Sequence, residues 1–166
     1  MMRRILTAES ELCTGCRICE LICSLGKTGE LNIYRARLKI VTCDELGIFN
    51  PVICRHCVKP ACLSACPIPE AMVIDEQTGA VFIKEENCIG CRECVDACPF
   101  GAIQLDPEGN PLKCDLCGGD PLCVRHCPTR PLEGPTNIPP SEQSCLQFNE
   151  FHKVAKEKER EQQREE

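Results

Sequence analysis

The chain has 166 residues, 18 of them cysteine, with one tyrosine, five phenylalanines, no tryptophan and a formal net charge of −6. So few large apolar side chains build only a small core, and folding units of that kind usually rely on disulfides or metals as staples. An acidic chain without a basic stripe argues against nucleic acid as a partner, and no stretch is long and apolar enough for direct membrane insertion.

The N-terminal run "MMRRILTAESELC" carries Arg3 and Arg4, but only Ile5 and Leu6 follow before Thr7, Ala8 and Glu9. An export signal needs an apolar stretch of about 7–15 residues. The expected location is therefore the cytoplasm, where thiols stay reduced and a disulfide scaffold is disfavoured. The first cysteine group is Cys13, Cys16, Cys19 and Cys23. "RICELIC" within it reads as a short helix. Ser24 rather than proline follows Cys23, so that helix is expected to run on through "ELICSLG". In "YRARLKIV" (34–41), Arg35, Arg37 and Lys39 alternate with Ala36, Leu38 and Ile40, which predicts a strand with one wet face.

The second group is Cys54, Cys57, Cys62 and Cys66, with His56 inside "CRHC". Val73–Ile74 and Val81–Ile83 flank "DEQTG", a hairpin signal. The third group, Cys88, Cys91, Cys94 and Cys98, contains a second short helical stretch, "RECVDAC". Ile103–Leu105 before "DPEGNP" signals another hairpin. The fourth group is Cys114, Cys117, Cys123 and Cys127. "PTRPLEGPTNIPP" (128–140) follows and reads as an extended proline-rich strap. In 141–166, Ser141 is a candidate cap, and Leu146, Phe148, Phe151 and Val154 form a stripe at loosely helical spacing. From Lys156 onward the chain is almost wholly polar, so this segment is expected to be a helical, charged tail.

Groups one and three are C-x2-C-x2-C-x3-C; groups two and four widen the middle gap to four and five residues. Thiolates select iron–sulfur clusters, and "CIGCRECVDACP" (88–99) matches the bacterial ferredoxin run, in which the fourth cysteine ligates the partner motif's cluster. Zinc sites use C-x2-C pairs separated by a dozen or more residues, and the extra cysteines at x2 and x3 do not suit a tetrahedral site. His56 is expected to pack near a cluster or donate a hydrogen bond to sulfur. Gly15 and Gly90 lie inside ligand loops, where the missing Cβ lets backbone approach a cluster. Arg17, Arg55, Lys59, Arg92, Lys113 and Arg125 lie beside or within these loops and could favour the reduced, more negative clusters. Cys43 and Cys145 are left over and are expected to be buried apolar residues. The sequence contains no G-x-G-x-x-G and no P-loop, and no catalytic residue is assigned.

With four such groups, the chain over residues 5–135 resembles the four-cluster, ferredoxin-like electron-transfer subunits of anaerobic oxidoreductases. It looks most like the small iron–sulfur subunit of tungsten aldehyde oxidoreductases. The resemblance implies four [4Fe-4S] clusters with sixteen cysteines as the iron ligands, paired in a nested way. One cluster takes Cys13, Cys16, Cys19 and Cys127; a second takes Cys23, Cys114, Cys117 and Cys123. A third takes Cys54, Cys57, Cys62 and Cys98; a fourth takes Cys66, Cys88, Cys91 and Cys94. Spacing alone would equally permit pairing of the first group with the second and the third with the fourth.

The implied fold is α+β: two nested dicluster-ferredoxin-like units with short helices and β-hairpins around four clusters, plus a C-terminal extension. Residues 1–50 with 105–127 would form the outer unit and 51–104 the inner. The implied function is a relay of single electrons between a catalytic, pterin-type redox subunit and an acceptor, without a substrate site of its own. Formate dehydrogenase, hydrogenase and carbon monoxide dehydrogenase remain open as partners. A free polyferredoxin and a cluster-transfer scaffold are the other function classes, and head-to-tail self-association would be a route to filaments.

Overall fold

The computed structural model describes residues 4–128 and 144–150. In chain order its elements are β1 (Arg4–Ala8), α1 (Ile18–Thr28), β2 (Lys39–Cys43), β3 (Ile48–Val52), α2 (Ala61–Ala65), β4 (Met72–Ile74), β5 (Val81–Ile83), α3 (Glu93–Asp96), β6 (Gln104–Leu105), β7 (Pro111–Leu112), α4 (Leu122–Arg125) and β8 (Leu146–Glu150). The described strands form two-stranded antiparallel sheets: β1 with β8, β2 with β3, β4 with β5 and β6 with β7. The architecture is the expected small α+β arrangement of short helices and hairpins.

Both hairpin signals hold. Asp75 closes the β4–β5 turn by accepting from the Gln77 and Thr78 N–H groups and the Thr78 hydroxyl, an Asx-type turn that sets the register Met72 opposite Ile83. Asp106 accepts from the Asn110 N–H in the β6–β7 turn. The first helix does run on past Cys23, as the missing proline suggests. It ends at Thr28, where Gly29 takes a left-handed φ of 77° and its N–H returns to the Leu25 carbonyl.

Two expectations are corrected. The strand foreseen over 34–41 begins only at Lys39, because the Asn32 side chain accepts the Tyr34 N–H and winds Ile33–Arg35 into a 3₁₀ turn. The alternation survives across that turn, and Ala36, Leu38 and Ile40 are all buried. Leu146–Glu150 is a strand, not a helix. It pairs with β1 in the register Leu6 opposite Phe148 and Ala8 opposite Leu146, and a two-residue period buries Leu146 completely while Gln147 stays partly exposed. The proline-rich strap from 129 and the tail from Phe151 lie outside the described residues.

Two apolar clusters organise the interior. The larger gathers Leu6, Leu38, Ile40, Ile53, Leu116 and Leu146 around Cys19, Cys23, Cys123 and Cys145. The smaller packs Met72, Val81 and Ile103 around Cys94. α1 packs against α4 and α2 against α3, so helices from distant cysteine groups face each other. The α1–α4 approach is close: a Cβ on Gly26 would sit 2.3 Å from Leu122 Cδ1.

Candidate metal centres

Each C-x2-C loop makes the same backbone turn. The residue before the second cysteine is left-handed in all four: Gly15 at φ 68°, His56 at 44°, Gly90 at 69° and Leu116 at 57°. A chain that turns this way curls its N–H groups toward one side and makes a concavity suited to an anionic group. Glycine supplies the conformation freely in groups one and three. In groups two and four an ordinary residue bears the strain, which spacing does not reveal. Backbone N–H groups reach sulfur at Cys23 (from Arg37, 3.4 Å), Cys98 (from Ala102, 3.4 Å) and Cys114 (from Leu116, 3.5 Å). Such bonds favour the thiolate over the thiol.

The cysteines ring cavities rather than points. Cys13, Cys16, Cys19 and Cys127 line one. Cys54, Cys57, Cys62 and Cys98 line a second. Cys66, Cys88, Cys91 and Cys94 line a third. Cys123 lies in the field of Cys114, Cys23 and Cys117. Among the described residues, no three cysteine, histidine or carboxylate side chains converge tightly enough to hold a single metal ion. Sets of four soft sulfur donors that surround a cavity without converging on one point fit a multi-iron cluster.

Burial pushes these thiols up, and neighbouring sulfurs add to it: Cys19 and Cys114 rise to about 12 and Cys94 to about 11. Thiols held this way give up their protons to a metal and not to water at neutral pH. The sets also lie within electrostatic reach of one another. Cys123 lies in the field of Cys19, Cys114 in that of Cys54 and Cys94 in that of Cys62, which orders the four sets one after another along a line. Of the sixteen cysteines only Cys16 and Cys91 are exposed, and they belong to the sets at the two ends of that line.

The remaining candidates separate cleanly. Cys145 is buried, as expected, and lines the first cavity beside Cys13 and Cys127. Cys43 is exposed, contrary to expectation, because it shares the outward face of β2 with the exposed Lys39 and Val41. His56 is buried in the wall of the second cavity, and its Nδ1 accepts the Val81 N–H at 3.1 Å. That nitrogen serves the backbone of β5 rather than a sulfur. Lys113 is buried there too, with Nζ 3.1 Å from Cys54 Sγ. Arg17 pairs with Glu20 at 3.8 Å, Arg125 with Asp120 at 3.0 Å, and Arg55 lies 4.2 Å over the Phe100 ring.

Thiol-lined cavities between short helices and hairpins define an iron–sulfur protein of the ferredoxin class. Residues 46–134 match the family described as 4Fe-4S dicluster domain, and residues 10–29 match a 4Fe-4S binding domain. The chain belongs to the 4Fe-4S dicluster family. It is 43% identical over 117 residues to the aliphatic sulfonate oxidoreductase, polyferredoxin-like subunit of Pyrococcus furiosus, covering 69% of this chain and 66% of the relative. It is 37% identical over 145 residues to the B subunit of the anaerobic dimethyl sulfoxide reductase of Haemophilus influenzae, covering 75% of this chain and 70% of that subunit. The putative oxidoreductase UacF of Escherichia coli is 34% identical over 140 residues, but there the match spans only 21% of the relative. The chain thus spans just under two thirds of the Pyrococcus relative and about a fifth of UacF. Among solved structures, the BamBC complex of benzoyl coenzyme A reductase aligns with a TM-score of 0.48 at 23% identity, over 90% of this chain and 78% of that one. Among the described residues no helix is long and apolar enough to cross a membrane.

Proposed function

We propose that the chain is a four-cluster relay that passes single electrons between a catalytic oxidoreductase subunit and an acceptor. The observation that supports this reading is the succession of cysteine sets, with the exposed Cys16 and Cys91 in the first and last of them and buried Cys23, Cys123 and Cys54 in the sets between. In this reading Cys13, Cys16, Cys19 and Cys127 hold one [4Fe-4S] cluster, and Cys23, Cys114, Cys117 and Cys123 the next. Cys54, Cys57, Cys62 and Cys98 hold the third, and Cys66, Cys88, Cys91 and Cys94 the last. When bound, each cluster supplies one-electron redox chemistry. The protein's part is to fix spacing, to bury part of each inner set and to set the local charge. Cys23 and Cys123 are buried in the second set and Cys54 in the third. The surfaces around Cys16 and Cys91 are then the two ports.

The best reading for the catalytic partner is a tungsten- or molybdenum-pterin oxidoreductase, in the cytoplasm. What supports a dedicated partner is that relatives sharing most of this chain are named as oxidoreductase subunits. Anaerobic native purification, with identification of whatever co-purifies, tests it. A pterin oxidoreductase retained at equal stoichiometry is the expected result. A chain that comes away alone, with clusters reducible by several unrelated enzymes, would make it a mobile polyferredoxin instead.

A further inference from the structure

Lys113 occupies the seam between the two halves of the line of sets. It follows β7 directly and precedes Cys114, a member of the second set, while its side chain reaches the cavity of the third. The side chain is 3% exposed. Nζ donates to Cys54 Sγ at 3.1 Å and to the Val81 carbonyl, and its field also acts on Cys62. No other ammonium or guanidinium near the described thiols is placed this way. Lys27 and Arg37 share Asp115, and Arg37 also reaches Glu85. Arg17 and Arg125 have their own carboxylates. Arg92 Nε donates to the Gly109 carbonyl at an exposed site.

A buried ammonium needs an anion or it would shed its proton. Among the described residues no carboxylate pairs with Lys113. The negative charge within reach is the Cys54 sulfur and whatever Cys54 ligates. A positive charge held this close in a water-poor site favours the more negative, reduced state of that centre. Because Lys113 sits at the seam, the bias falls on an interior set rather than on either exposed end.

We propose that Lys113 sets the reduction potential of the centre held by Cys54, Cys57, Cys62 and Cys98 and makes it the first of the four to accept an electron. The electron comes from a low-potential one-electron donor, dithionite (oxidised to sulfite) in the test below, and the centre becomes one unit more negative with no bond to the protein made or broken. This rests on the four-cluster reading above. The consequence is an interior electron well: charge entering at either port settles midway before it leaves.

The test is a dithionite titration of the full chain, anaerobically purified, followed by electron paramagnetic resonance, with Lys113→Met and Lys113→Gln beside wild type. Met keeps the length and removes the charge; Gln keeps a donor without the charge. Expected is full iron in both variants, with one of four potentials lowered. Its reduction equilibrium weakens at least tenfold, which is 59 mV for a one-electron step, and the order of reduction changes. Gln shifting as far as Met assigns the effect to charge. Full iron with every potential within threefold of wild type would overturn the proposal, and so would loss of iron in both variants with the surviving potentials unmoved, which marks a purely structural lysine. A wild-type chain without its full iron would instead sink the four-cluster reading and this inference with it.

Discussion

Gly15 and Gly90 hold equivalent places in the first and third ligand loops, with φ of 68° and 69°, yet alanine is expected to cost far more at Gly15. Placing any Cβ in the left-handed region costs about 1–2 kcal/mol, and both variants bear it. At Gly90 the new methyl meets only Asn110 Oδ1 at 3.5 Å, an ordinary contact. At Gly15 it would lie 2.3 Å from Phe49 Cδ1 and 2.5 Å from Cε1, so the ring must move. Phe49 is in β3, paired with β2 and packed on the larger apolar cluster, and forced repacking of that kind costs about 1–3 kcal/mol more. At about 2–4 °C per kcal/mol for a chain of this size, Gly15→Ala should melt about 2–12 °C below Gly90→Ala. The assay is thermal loss of cluster absorbance under argon at one fixed scan rate. Equal midpoints would refute the argument that Phe49 packs onto the bare face of the first ligand loop. A lower midpoint for Gly90→Ala would refute it more strongly.

Other expected outcomes follow from single contacts. Glu20 is buried and its Oε1 accepts the Ile40 N–H at 2.9 Å. Glu20→Ala should therefore cost about 1–3 kcal/mol by stranding that donor, while Glu20→Gln, which keeps an acceptor, should stay near wild type in a denaturant melt; equal losses would mean the bond is not what matters. Hydrogen bonds from the Thr78 hydroxyl and N–H hold the Asp75 carboxyl below its usual range. A depressed carboxyl stabilises the fold above its unfolded value and loses that contribution as pH falls through the folded one. The advantage of wild type over Asp75→Asn in resisting cluster bleaching should thus persist at pH 7 and shrink below about pH 4; an unchanged margin would show that the carboxylate's charge plays no part. Cys43→Ser should change stability by no more than about 0.5 kcal/mol and leave iron content intact, because the side chain is exposed. Cys145→Ala should cost about 1 kcal/mol of lost burial with full iron retained; four irons lost, about one cluster's worth, would instead make Cys145 a ligand.

The gathering of cysteines around shared cavities was legible because each loop is local: three thiols that face one cavity from a short loop are written as C-x2-C-x2-C or a close variant. The β4–β5 and β6–β7 hairpins were legible for the same reason, since Asp75 and Asp106 build their turns from neighbours a few residues away. What escaped was long-range. β1 and β8 pair across 138 to 146 residues. The period-two alternation of Leu146 and Phe148 was there to be read, but Phe151 and Val154 extended it into a helical stripe. The Lys113–Cys54 contact spans 59 residues and the Phe49 ring lies on Gly15 from a different element. His56 and Leu116 adopt the left-handed turn that glycine marks in the sister loops, so only comparison of all four loops could have raised it. Cys43 looked like any leftover cysteine until the register of β2 put it on the outward face with Lys39 and Val41.

The sixteen-ligand, four-cluster claim is tested most directly by iron and acid-labile sulfide analysis of the anaerobically purified chain, with native mass measurement of the same sample. The account predicts about 16 irons and about 16 sulfides per chain. Zinc without sulfide would contradict it outright. About 8 irons would leave one dicluster unit standing and remove the continuous line from Cys16 to Cys91.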